Sequence, residues 1–102
     1  MVNKYLYLYT GGEKLHQDQS CKEAVKEWCA YFGKIHSAIV DHGAPFGAEE
    51  RRVGQANTSR ATGYSIVHAN SLNEAIALTE GHPHIARGGG IEVFELVDLS
   101  GM

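Results

Sequence analysis

Lys4-Tyr5-Leu6-Tyr7-Leu8-Tyr9 is the stretch from which the arrangement of the chain follows. Tyrosine and leucine alternate without a break, so a strand here carries Tyr5, Tyr7 and Tyr9 on one face and Leu6 and Leu8 on the other. A strand from a sheet with one wet side alternates apolar and polar residues; this one is apolar on both sides and must be covered twice. Gly11-Gly12 ends it.

Downstream, Ser20-Cys21-Lys22-Glu23 has the form of a capping box that opens a helix. Val25, Trp28, Phe32, Ile35 and Ile39 follow at spacings of three and four, one apolar stripe, and Gly43 is placed to close the helix as a left-handed C-cap. Arg51 to Asn57 is weakly patterned, and its charge and Gly54 suit an edge strand. Tyr64 to Ala69 alternates again, with Tyr64, Ile66 and His68 on one face and Ser65, Val67 and Ala69 on the other. Ser71-Leu72-Asn73-Glu74 is a second capping box, and its helix stops at Gly81 and Pro83. Ile91 to Val97 is the last strand.

The resulting order, βαββαβ with no linker, predicts one α+β domain over residues 1–102 with the ferredoxin-like arrangement. Right-handed crossovers place both helices on one face of a four-stranded antiparallel sheet. The other face is left bare, and Phe94 and Leu96 add to its apolar area. A patch of that kind marks an interface, so the expected partner is a second copy, a homodimer formed through the open sheet face. Leu6 and Leu8 are assigned to the helices, beneath Trp28 and Ile35. Tyr5, Tyr7, Tyr9 and Phe94 are then expected to line a pocket between the sheets; the competing assignment exchanges the two faces.

Composition narrows the function classes. The formal charge is −3 and the nine Lys and Arg are scattered, which argues against a nucleic-acid partner. No apolar run reaches the roughly 20 residues of a membrane span, and the opening residues carry no secretory signal, so the expected location is cytoplasmic. Cys21 and Cys29, eight apart on one predicted helix, are separated by roughly 12 Å of rise. That excludes an intrachain disulfide, and both are expected as free, buried thiols in a reducing compartment. Six histidines, if protonated, are enough to reverse the sign of the net charge.

The same residues resemble a known family. Lys4 to Tyr9 with Gly11-Gly12, Trp28-Cys29-Ala30-Tyr31-Phe32, Gly63-Tyr64-Ser65-Ile66 and Ser71-Leu72-Asn73-Glu74-Ala75 are similar to YCII-related (DGPF-type) proteins. So is Gly81-His82-Pro83 leading through Gly88-Gly89-Gly90 to Ile91-Glu92-Val93. The resemblance spans nearly the whole chain and implies the dimeric α/β-barrel fold, with small-molecule chemistry in the cleft between sheet and helices. Enzyme-like members carry a histidine early in the first helix and an aspartate just before the proline after the second. Here those places hold Glu27-Trp28 and His82.

Among residues able to carry chemistry, His82-Pro83-His84 offers two imidazoles in one loop, suited to a general base and its helper or, on weaker grounds, to a divalent metal. The plainer reading puts His82 at the negative end of the preceding helix dipole, with Pro83 terminating that helix. If both project from the bare face, His68 and Glu92 form a second candidate pair for acid–base work; the plainer reading is a buried polar pair, or a glutamate at the dimer rim, that fixes subunit register. His42 reads as a cation capping the long helix, His36 as a rim residue and His16 as solvated. Gly88 to Gly90 precedes a strand, so it offers no helix N-terminus to a phosphate. No metal site and no cofactor are expected. The expectation is a dimeric domain that binds a small molecule in the sheet cleft without the usual His–Asp pair; the alternative is a cofactor-independent lyase or isomerase using His82, His84, His68 or Glu92.

Overall fold

The computed structural model describes residues 3–11, 19–55 and 60–99, with the side chains of 19–24 excepted. In chain order these residues form β1 (Asn3–Gly11), α1 (Gln19–Lys34), a 3-10 turn (His36–Ala38), β2 (Ile39–Pro45), β3 (Ala61–Ala69), α2 (Leu72–Ala77), α3 (Pro83–Ala86) and β4 (Gly89–Leu96). The strands make one antiparallel sheet in the order β2-β3-β1-β4, with β1 and β3 inside. This is the ferredoxin-like α+β arrangement expected from the element order.

The helices cover the tyrosine face, which reverses the expected assignment. Tyr5, Tyr7 and Tyr9 are buried against Tyr31, Ile35, Val67 and Ala75, while Leu6 and Leu8 are only half-buried on the open side. Hydrophobicity did not separate the two faces; hydrogen bonding does. The last-turn carbonyls of α2 have no intrahelical donor and need one from elsewhere. The Tyr7 hydroxyl donates to the Ala75 carbonyl, and the Tyr31 hydroxyl donates to that of Leu78 at 2.6 Å. Backbone amides of Thr79 and Glu80 serve Ile76 and Ala77. Tyrosine rings are long enough to reach these acceptors across the sheet–helix gap, and leucines have nothing to give them.

The first helix is shorter than its apolar stripe suggests. It ends at Lys34, and Ile39 begins β2 opposite Val67 instead of extending the helix. The 3-10 turn brings the chain back to the sheet, so Ile35 and Ile39 still enter one core although only the first lies at the helix end. Gly43 therefore caps nothing. It sits in β2 at φ 73°, where a Cβ would lie 1.7 Å from the Tyr64 carbonyl oxygen. The register slips on both sides of Asp41, the second slip including Gly43, and the Gly43 amide donates to Asp41 Oδ1 at 2.8 Å.

Arg51 to Gln55 is exposed irregular chain with a turn, not an edge strand; Ala56 and Asn57 lie outside the described residues. The capping box at Ser20 falls where side chains are not described. At α2 half of the expected box is present: the Ser71 hydroxyl accepts from the Glu74 amide at 3.1 Å, while the Glu74 carboxylate accepts from Asn70 Nδ2 at 3.2 Å. His42 lies exposed in β2 with Phe32 edge-on to its ring, and His36 is exposed in the 3-10 turn; neither caps α1. His16 is outside the described residues. Cys29 is free and exposed, not buried as expected.

Candidate functional site

The end of β1, the middle of α1 and the start of α3 converge on one side-chain cluster. Gly81, at φ 78°, turns the chain out of α2, and Pro83 then occupies the first position of α3. The residue before a proline is held extended, and His82 is so held, at φ −64° and ψ 129°. Its ring turns back so that Nδ1 accepts the His84 amide at 3.0 Å. His82 thus caps the start of a helix; the expected role at the end of one is corrected, because Pro83 opens α3 here and does not close α2.

His82 is 1% exposed, and its other nitrogen lies 3.2 Å from the Tyr9 hydroxyl. The proton order along this contact follows from the partners. Nδ1 already accepts a backbone N–H, so in the neutral ring the proton sits on Nε2 and is donated to Tyr9 Oη. The Tyr9 hydroxyl donates to Ser65 Oγ at 2.7 Å, and Ser65 donates to the His42 carbonyl at 2.7 Å. The chain of donors ends on that carbonyl, and it ties α3, β1, β3 and β2 together. Among the described residues no buried side-chain nitrogen or oxygen lacks a partner.

Aromatic rings close around the pair. Trp28 meets both Tyr9 and His82 edge-on at 4.8 Å, and Tyr31 lies 4.2 Å from the His82 ring. Desolvation, with the nearby His84 second, lowers the His82 pKa to about 4, so the ring is neutral at physiological pH. Burial pushes the Tyr31 phenol up to about 12 and holds those of Tyr7 and Tyr9 higher still. The resting cluster therefore holds neutral groups with both ring nitrogens of His82 engaged.

His84 is also buried, and its Nε2 donates to the Thr10 carbonyl at 3.0 Å. Gly89 makes room for that ring, since a Cβ there would lie 2.2 Å from Nε2. Outside the cluster, Tyr31 and Pro83 also face an open groove of about 400 Å³ between α1 and α3. Ala30 and Ala86 complete its apolar floor, and Glu27 and Lys34 stand at its rim. Glu27 is paired with Arg87 at 3.1 Å.

The other candidates are elsewhere. Tyr5, Tyr7 and Tyr9 face the helices, whereas Phe94 lies opposite Leu6 on the open face and is 45% exposed, so it does not share their surroundings. His68 pairs with Lys4 and Glu92 with Leu8, both on the open face. Four residues along β1 separate these positions by roughly 13 Å, so His68 and Glu92 do not meet within one chain. Among the described residues no three metal-ligating side chains come together.

Trp28, Tyr31, Ser65, Thr10 and Gly89 complete the cluster without having been singled out for it. Ser65 left one legible trace: it is the lone hydroxyl on a strand face otherwise occupied by Val67 and Ala69. Thr10 acts through its carbonyl, which no side-chain pattern announces.

No known family model matches the chain, and no curated protein does. Among solved structures the chain is similar in fold to 5-chloro-2-hydroxyhydroquinone dehydrochlorinase from Burkholderia phenoliruptrix AC1100, determined in complex with 2,5-dihydroxybenzoquinone. The match has a TM-score of 0.61 at 20% identity and covers 95% of this chain and 94% of that one. At that identity the likeness establishes the shared fold.

Proposed function

We propose that the protein is a homodimeric YCII-like domain that binds a small planar, polar molecule in the groove between α1 and α3, as a binding module. The observation that carries this reading is the wall formed by Tyr31 and Pro83, directly behind which the His82–Tyr9 pair is already fully hydrogen-bonded. The groove supplies one aromatic wall, an apolar floor and a charged rim, a combination suited to orienting a small ligand. The engaged imidazole supplies no free base. The fold it shares with a protein that holds 2,5-dihydroxybenzoquinone supports a ligand of that size.

Trp28 is the single tryptophan and touches both His82 and Tyr9, so its fluorescence reports on the cluster. With 2,5-dihydroxybenzoquinone as probe, saturable quenching is expected at one equivalent per chain, with no change in the probe's absorption over time. Ala30→Phe, which fills the groove from an exposed position, is expected to abolish the quenching. Quenching that survives Ala30→Phe, or none in the wild type, removes this site.

A second reading rests on one specific contact. Tyr9 and His82 are two titratable groups within hydrogen-bond reach, as a cofactor-independent lyase or isomerase requires. Conversion of the probe that is lost in Tyr9→Phe would establish it in place of the first.

A further inference from the structure

The open sheet face carries its charge at its two ends. Reading across β3, β1 and β4, three rows are set by the register: Tyr64–Leu8–Glu92, Ile66–Leu6–Phe94 and His68–Lys4–Leu96. The middle row is wholly apolar. One flanking row holds a carboxylate, and the other holds an ammonium beside an imidazole. Neither Lys4 nor Glu92 has an ion-pair partner among the described residues, and both are exposed. Asp41, at the edge opposite Ile66, is occupied by the Gly43 amide. Phe46 extends the apolar area beside Tyr64, its ring 6.3 Å away.

Two sheets packed face to face keep their strands within about 30° of a common line. A two-fold axis lying between them then has two settings, along the strands or across them. The apolar middle row has most to gain from cover, so it lies at the centre in either case. With the axis along the strands, Lys4 faces Lys4 of the second copy, and both His68 rings gather at the same end. With the axis across the strands, the rows exchange ends. Lys4 then lies over Leu8 of the second copy, with that copy's Glu92 one strand away, about 5 Å to the side. The sheets are about 10 Å apart, a gap that a lysine and a glutamate span together. His68 falls over Tyr64 of the second copy, an imidazole over a phenol.

We infer that the second copy docks with its strands reversed end for end, so that Lys4 of each chain pairs with Glu92 of the other. This rests on the homodimer reading above and specifies its register. Opposite charges at an interface set register and orientation more than raw affinity, and like charges in the wrong setting are penalised strongly. It also gives Glu92 and the Lys4–His68 row a purpose that no ion pair among the described residues supplies.

The experiment uses two exposed-site variants, Lys4→Glu and Glu92→Lys, followed by sedimentation equilibrium at low salt. In the reversed register each variant alone places two like-charge contacts in its dimer, and its dissociation constant is expected to rise about tenfold or more. An equimolar mixture of the two is expected to recover the wild-type constant. In the mixed dimer the carboxylate introduced at position 4 meets the ammonium introduced at position 92, and the native Lys4–Glu92 pair is kept on the other side. Circular dichroism checks that both variants fold. A wild type that stays monomeric removes the homodimer reading itself. A wild-type dimer that either variant leaves unchanged, or that the mixture fails to restore, overturns the register alone.

Discussion

A histidine that accepts through Nδ1 and donates through Nε2 has no lone pair left for a substrate proton, and His82 is in that state. It also carries a pH signature. Its folded pKa of about 4 lies below the ordinary 6.5, so the unfolded chain takes up the proton first. The neutral ring therefore contributes its stability fully above 6.5, and that contribution is lost as pH falls towards 4. The slope approaches about 1.4 kcal/mol per pH unit inside the window. Urea unfolding across it is expected to show wild type weakening more steeply than His82→Gln, which does not titrate; parallel curves would refute the assignment. The dipeptide His82-Pro83 was visible as a signal, but its reading as a helix end was wrong. Which helix a turn belongs to depends on where the chain goes next, and four residues of α3 are too few to show a period.

At the scale of elements, β1, β3, β4 and the capped start of α2 were legible because each is governed by local chemistry: alternation in the strands, a serine N-cap in the helix. The boundary between α1 and β2 was not. Ile35 and Ile39 are four apart, a helical spacing, yet a turn and a strand bring them to the same core equally well. Gly43 tests the difference. As a helix cap it would tolerate alanine at modest cost; in the bulge, alanine meets the Tyr64 carbonyl and an unfavourable φ together. Gly43→Ala is expected to cost about 2 kcal/mol or more in chemical denaturation. Gly33→Ala, within α1 and with open space around it, is expected to stabilise by up to about 1 kcal/mol. Similar small effects at both sites would return Gly43 to a cap.

For the whole molecule, the decisive feature is a sheet covered by helices on one side only. Leu6, Leu8, Ile66, Phe94 and Leu96 remain on the other, a contiguous apolar patch of the kind that marks an interface. A dimer mass is expected from light scattering at micromolar protein. Phe94→Asp, at the centre of the face and away from the helices, is expected to give a folded monomer. A dimer that persists in this variant would place the contact elsewhere.

Sequence alone was enough for β1, β3, β4 and the start of α2, for the ferredoxin-like order, and for the need for β1 to be covered twice. These follow from alternation, capping and connection rules that act over a few residues. Which face went to the helices was decided only by tertiary structure. Tyrosine and leucine are both apolar enough for either side, and the choice turned on the free carbonyls at the end of α2, 68 residues from Tyr7 in the chain. The same holds for the site. Tyr9, Ser65 and His82 become one hydrogen-bonded chain only when three distant segments are brought together, and no spacing along the chain encodes that meeting.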